Sequence, residues 1–424
     1  MAIDILLSVF IFILIVIIIG MEKRFIWILP SINFLIDIFS GYFEKGSILA
    51  IIRAIILYSF LFYYWTKYVK IRKFFVPILI FSFYTLILIL FSNNLFNSFR
   101  IYLQITISIL MFPLSYYLIE NINDFKLLTI STFFTLILFI ITTLISTIFK
   151  IGPSIYTESQ SFLTGNIFGA SLNTVSLGLI LIPFLLIFNK KKHYRIIIIS
   201  IALFSFIALF LTMKRTSILV VVIGLLLYFV LTEKKSKVFI FILSMIALLI
   251  IMSPLYENIL IERFEARRDR FYLDSVEQEA RYRETFIIWD EIFSFRNPIE
   301  SIFGKQLYNS PGNYANGTFG ERQIHIDYNV ILHGAGIVGM LLYLIMFIPI
   351  FKHLGYVSKK AKRDAYYYNL KAIFISFFIL TFVMSVSGQM YGITFRSICF
   401  IYMGGILGYF RKVSLTTMDK EIVK

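Results

Sequence analysis

The sequence predicts an all-α polytopic integral membrane protein of about 12–14 transmembrane helices, with one large extracytoplasmic loop near the C-terminal third. Three observations carry that expectation. Of 424 residues, 59% are hydrophobic, and the mean hydropathy is +0.85. A soluble core needs far less, whereas a membrane span needs only about 20 apolar residues in a row. Thirteen long apolar segments follow one another, and a hydrophilic stretch from Pro254 to Gln323 interrupts them. No segment alternates polar and apolar residues as a barrel strand does, while helices satisfy every backbone group internally, as lipid demands.

Spans are expected at 3–20, 25–43, 47–65, 74–91, 99–119, 126–149, 171–189, 196–213, 216–232, 238–253, 326–350, 371–390 and 393–410. The first has no basic residues ahead of its apolar run and carries Lys23 and Arg24 after it, so it reads as a retained span and not as a secretion signal. Basic clusters then recur in alternate loops: Lys67, Lys70, Arg72 and Lys73; Lys190, Lys191, Lys192 and Arg195; Lys234, Lys235 and Lys237; Lys359, Lys360, Lys362 and Arg363. Such clusters mark the cytoplasmic side. That rule places the amino terminus outside, the carboxyl tail inside, and the long loop on the outer face of the cell's inner membrane. Nine Lys and Arg in that loop are outnumbered by twelve Asp and Glu, so the net charge of +16 resides in the inner loops. The basic excess is thus a topology signal with anionic lipid contact as its side effect, and nucleic acid is excluded as a partner. The chain divides into an N-terminal bundle (1–253), the loop (254–325), C-terminal helices (326–410) and a cytoplasmic tail (411–424).

Several chemistries are unsupported. The single cysteine, Cys399, lies inside the last span, so no intramolecular disulfide staples the loop. Of four histidines, His193 and His353 fall in cytoplasmic loops, leaving His325 and His333 near the outer boundary and no metal-ligand set. No Walker-type glycine loop is present, so neither ATP nor another cofactor is expected. No internal repeat of the kind that builds many transporters stands out. Within the loop, Phe264, Phe271, Phe286, Trp289, Ile292 and Phe293 recur at helix-like intervals among charges, which predicts amphipathic helices between Ile259 and Phe295. Asn309 to Gly320, rich in Asn, Gly, Pro and Ser, reads as irregular turn.

Cations on the outer side run against the topology rule and need a reason. Arg215, with Lys214, sits in a tight outer turn, Met213-Lys214-Arg215-Thr216-Ser217, where a guanidinium either grips phosphate or anchors the helix at the interface. Arg281 and Arg283 lie in Glu279-Ala280-Arg281-Tyr282-Arg283-Glu284, followed by Trp289 and Pro298; a charged helix face laced with ion pairs is the alternative. His325-Ile326-Asp327 opens a span, as a proton-transferring pair or as a helix cap. Gly334, Gly336 and Gly339 behind it fit close helix packing. Arg53, Arg100 and Arg396 fall within spans and must face the bundle interior or a cavity. Arg53 either pairs with Asp37 or awaits an anionic substrate.

This order of elements resembles the O-antigen polymerase and ligase superfamily, the Wzy-like and WaaL-like membrane proteins. The residues that carry the resemblance are the arginine turn Met213 to Ser217, Arg283 fifteen residues before Pro298 with Gly304 beyond, and His325 eleven residues before Gly336. It runs through most of the chain as hydropathy layout. Two departures stand out: Ile326 follows His325 where ligase-like members have Asn, and Gly334 occupies a position that is often acidic. Both lean towards the polymerase branch, in which an acid such as Asp327 is common.

The resemblance implies a metal-independent inverting glycosyltransferase acting on undecaprenyl-diphosphate-linked oligosaccharide. Arg215 and Arg283 would stabilise the departing diphosphate, with Arg281, Arg53, Lys214 and Arg100 as further cations. His325, oriented by Asp327, would accept the hydroxyl proton, and Trp289 would stack on sugar. A flippase and a chain-length regulator are the partners this implies. The alternatives are ligation of glycan to a lipid core or protein, and transport of the lipid-linked oligosaccharide itself.

Overall fold

The computed structural model describes residues 20, 24–42, 46–149, 171–212, 214–232, 280–317, 319–320, 322–360, 365–388 and 390–422. The expected span at 238–253, all of 3–20 but its last residue, and residues 254–279 of the loop lie outside them. So do Met213, the cluster Lys234, Lys235 and Lys237, and the pair Lys362 and Arg363.

The protein is an all-α membrane protein. Among the described residues there is no strand, and seven helices are long and apolar enough to cross a membrane. In chain order the helices are α1 (Phe25–Tyr42), α2 (Gly46–Tyr68), α3 (Val76–Ile89), α4 (Leu95–Leu118), α5 (Ile122–Phe149), α6 (Leu172–Ile180), α7 (Ile182–Phe188), α8 (Lys192–Leu211), α9 (Arg215–Thr232), α10 (Ala280–Phe293), α11 (Pro298–Phe303), α12 (Asp327–Ile345), α13 (Phe347–Lys360), α14 (Ala365–Ser385) and α15 (Ile393–Ile422). Two expected single spans are divided. The 171–189 segment breaks at Leu181, because Pro183 has no N–H to continue the ladder. The 326–350 segment breaks at Met346 and runs on to Lys360.

The centre of the bundle is α15, docked along α4. Gly404 and Gly408 let the two backbones meet: a Cβ on either would stand about 2 Å from the carbonyl oxygen of Phe112 or Tyr116. Around this pair, α1 packs on α5 and α2, while α9 packs on α14 and α6. The bundle has two chemically different ends. At one, Arg72 and Arg411 lie over the rings of Tyr116 and Tyr117, and His353 stacks on Phe74 with centroids 4.1 Å apart. At the other, the heads of α12 and α15 meet the segment carrying α10 and α11.

That segment is built into the bundle. α10 buries Glu284, Ile288 and Ile292, one face at i, i+4 and i+8, against α12 and leaves Arg281, Arg283 and Trp289 exposed. Beyond it, α11 ends at Gly304 (φ +83°), which presses on the backbone of Gly334 and Ala335. α12 is interrupted at Gly336 (φ 65°, ψ −167°), where the backbone approaches Ile302 and Gly304. The carbonyls freed by that interruption find other donors: His333 O accepts from Lys305 N–H at 2.7 Å, and Ala335 O from the Tyr84 hydroxyl at 2.8 Å. The glycines therefore serve packing, as expected. The described residues between Asn309 and Gly320, which are 309–317, 319 and 320, form irregular turn with one 3-10 segment (Ala315–Gly317), also as expected.

Because this region of backbone space admits almost only glycine, Gly336→Ala should destabilise the protein by more than about 3 kcal/mol. Gly355→Ala, in a helix with open space around it, should instead be neutral or stabilise by up to about 1 kcal/mol. Thermal unfolding of the two variants in detergent checks the contrast, and equal midpoints would reject the interlock.

Candidate functional site

Every feature of the site hangs on the head of α12. Asp327, the first residue of that helix, is fully buried. Its Oδ1 accepts the Met390 N–H at 2.8 Å, and its Oδ2 accepts from Arg396 Nη2 at 2.6 Å. Arg396, 1% exposed, donates also to Ser385 Oγ at 3.0 Å and to the Tyr343 hydroxyl at 3.4 Å. One ion pair thus joins α12, α14, α15 and the chain at Met390. Arg396 faces the bundle interior, as its place in a span demanded. Asp327 is not the partner of His325: its carboxylate points inward to the buried Arg396.

The carboxylate beside His325 comes from α10. Glu284, fully buried, accepts the His325 backbone N–H at Oε1 (2.9 Å), and its Oε2 lies 3.7 Å from His325 Nδ1 and 3.5 Å from Arg322 Nη2. Arg322 Nε donates to His325 Nδ1 at 3.3 Å, and its guanidinium lies over the Phe319 ring. The His325 side chain is 41% exposed and that of Arg322 28%, so the buried acid carries two accessible groups. Tyr314 stacks on Phe319 beside them; burial, then the Glu284 charge, push its hydroxyl up to about 12 and keep it protonated. That hydroxyl is buried without a hydrogen-bond partner. Asn329 Nδ2 donates to Thr285 Oγ1 at 2.8 Å and ties α12 to α10. From the other side, Gly388 (φ +81°) abuts the His325 carbonyl so closely that a Cβ would stand 1.9 Å from it.

The remaining sequence candidates divide. Arg281, Arg283 and Trp289 share α10 with Glu284 but occupy its exposed face, and no ion pair involves either arginine among the described residues. The ion-paired face considered for them is therefore absent there. Arg53 pairs with Asp37 at 2.5 Å, and Asp37 Oδ2 accepts from Thr394 Oγ1 at 2.7 Å, so the pairing alternative is the one realised. Arg100 does not face the bundle interior as its place in a span led one to expect: it is exposed near the start of α4, where a neighbour three residues back satisfies it, Asn97 Oδ1 accepting at 2.8 Å. Arg215 is exposed at the start of α9, whose Ser217 is pinned to α6 through Asn173 and Ser176. No hydrogen bond or ion pair joins Lys214, Arg215, Arg53 or Arg100 to His325 among the described residues. Burial pulls the Lys214 ammonium down to about 7.

Glu284 and Arg322 were not among the sequence candidates. Glu284 could have been found as the polar member of the i, i+4, i+8 stripe, and Arg322 by the same exception to the topology rule that marked Arg215. Among the described residues no group of three or more His, Cys, Asp or Glu could hold a metal ion. No family model matches the chain, and no curated protein matches it.

Two outcomes follow. Arg396→Leu, which strands a buried carboxylate, should cost about 3–5 kcal/mol, and the double change Asp327→Leu/Arg396→Leu should cost less than the sum of the singles; strict additivity in unfolding would reject the coupling. Lys214 opposes folding most below about pH 7, where both states are protonated, and the penalty is relieved as pH rises towards the ordinary value of 10.5. Carbon-13 dimethyl-lysine NMR should show one methyl signal titrating near pH 7, absent in Lys214→Arg.

Proposed function

We propose that the protein is a polysaccharide polymerase that joins undecaprenyl-diphosphate-linked oligosaccharide units into O-antigen, capsular or exopolysaccharide on the outer face of the cytoplasmic membrane. One observation carries this reading: a half-exposed histidine, an arginine and a fully buried glutamate converge at the head of α12, beside a helix that presents two further arginines. In this reading the chain has 12–14 spans, with its amino terminus outside, its tail in the cytoplasm and the 254–325 loop over the site.

The reaction has a simple balance. A sugar hydroxyl on one lipid-linked unit attacks the anomeric carbon of another glycan; the new C–O bond forms as the bond to the diphosphate breaks with inversion. The electron pair leaves on the phosphate oxygen, and the hydroxyl proton goes to His325 Nε2. Base catalysis at Nε2 needs a proton on Nδ1, the atom to which Arg322 now donates. A diphosphate drawing Arg322 towards itself leaves Nδ1–H facing Glu284 Oε2, which then holds the imidazolium. Arg322, Arg283 and Arg281 supply the cations that the departing diphosphate requires, and Arg215 a further one from α9. Asp327 positions this site from behind and does not touch substrate. A flippase delivering units and a chain-length regulator are the partners this chemistry calls for.

The purified protein, given undecaprenyl diphosphate-linked repeat units from its own host, should produce a ladder of increasing glycan length without ATP or metal. His325→Ala should lower the rate by roughly 10²–10⁴-fold, and Arg322→Gln or Arg283→Gln should abolish chain growth with membrane insertion intact. Attachment of the glycan to an added core lipid or protein without a ladder would replace this reading with ligation. Movement of unextended substrate across reconstituted vesicles would replace it with transport.

A further inference from the structure

On the flank of the bundle, α6, α7, α8 and α9 enclose a groove of about 740 Å³, within the roughly 300–1,000 Å³ in which pockets hold small ligands. Its walls are apolar, with Ile182, Leu186, Leu203, Phe206 and Leu225 among them, and Lys190 and Arg195 stand where the turn between α7 and α8 meets it. Both cations are exposed, and neither is ion-paired to a described residue. Asn189, at the same mouth, donates its amide to the Leu185 carbonyl at 3.0 Å and is engaged. This mouth belongs to the basic end of the bundle: Phe188 stacks on Tyr366, and the neighbouring Tyr367 hydroxyl bonds the carbonyl of Ser358, the residue before Lys359.

The groove has the dimensions of a single leaflet. Along α8 its lining residues Arg195, Ile199, Leu203 and Phe206 form one stripe, which at 1.5 Å per residue extends about 16 Å. Half of a hydrocarbon core of about 30 Å is about 15 Å. The cations thus stand at one end of an apolar channel about as long as one acyl chain is deep.

We propose that this groove binds one anionic glycerophospholipid, its phosphate held by Arg195 and Lys190 and one acyl chain lying along α8. Arginine can take two phosphate oxygens at once, and lysine adds a point charge. Basic pockets between helices on the cytoplasmic side are suited to anionic headgroups, and each cation there contributes to the preference over a zwitterionic lipid.

Native mass spectrometry of the full chain in detergent tests this, with phosphatidylglycerol and phosphatidylcholine of matched chains as probes. One phosphatidylglycerol should be retained preferentially, and Lys190→Gln/Arg195→Gln should weaken its binding by about 25-fold, at roughly fivefold per cation. Lys70→Gln/Lys73→Gln, exposed cations of another loop at the same end, should change nothing. Ala202→Phe, filling the groove, should weaken both lipids; if that variant does not fold, the two polar pairs decide. Equal retention of the two lipids, equal loss in both polar pairs, or full displacement of the lipid by inorganic phosphate would overturn the proposal. The readout is lipid retention, so it fails or succeeds independently of any transferase assay.

Discussion

The Asp327–Arg396 pair is the constraint on which the rest of the site depends. Hydrocarbon offers no water to a buried charge, so each must find its counter-charge and its remaining hydrogen bonds inside the protein. Arg396 meets this demand at Nη2, which faces the Asp327 carboxylate, Ser385 and Tyr343, while its Nη1 is buried without a hydrogen-bond partner, and Asp327 adds the Met390 N–H. The acceptors come from α12 and α14 while the guanidinium belongs to α15, so one cation fixes the mutual register of three helices at one end. His325 stands two residues from Asp327, at the last point before the chain enters the bundle. Its position is set by a charge pair that it does not touch.

Backbone accounting does comparable work around it. A helix interrupted among apolar neighbours exposes carbonyls that must be satisfied locally. At Gly336 the Lys305 amide and the Tyr84 hydroxyl fill that need, so the interruption recruits both the chain after α11 and the distant α3. Further ties follow the same logic: Gln306 accepts the Asn93 N–H, Glu291 that of Ala315, and Ser310 that of Ile324. Four non-glycine residues with left-handed backbone, Phe295, Gln306, Tyr308 and Ala315, lie in this short segment. Such conformations persist only where surroundings over-determine them. The described half of the hydrophilic interruption is thus a cap welded to the helices below.

What could be read in the sequence was whatever depends on local chemistry. Apolar runs located the helices, because a span needs only length and hydrophobicity. Arg53 beside Asp37 was legible, since two opposite charges sixteen residues apart in adjacent spans have few other partners. The partnership of Asp327 was not, because proximity in the chain pointed to His325, while the cation that claims it lies 69 residues away. Glu284 was hidden for the same reason: its partners are 38 and 41 residues downstream. The break at Leu181 went unread in a span expected to run unbroken over 171–189, although Pro183 marks it, and the α4–α15 seam went unread although Gly404 and Gly408 are four apart, because neither pattern states which helix will lie opposite.

The distribution of charge separates what holds the fold from what is left to meet a ligand. The pairs Asp327–Arg396, fully buried, and Asp37–Arg53, part-buried, are internally neutral, so they contribute structure and no net charge. At the basic end, Arg72 and Arg411 are accommodated by the faces of Tyr116 and Tyr117, which lets cations accumulate there without drawing acids away from the other end. At the site end, Glu284 offsets Arg322, whereas Arg281, Arg283 and Arg215 remain exposed. On the polymerase reading that surplus is where a diphosphate must sit: its charge would be matched by arginines still free to move, Arg322 joining them, while Glu284 and the Asp327–Arg396 pair stay locked beneath.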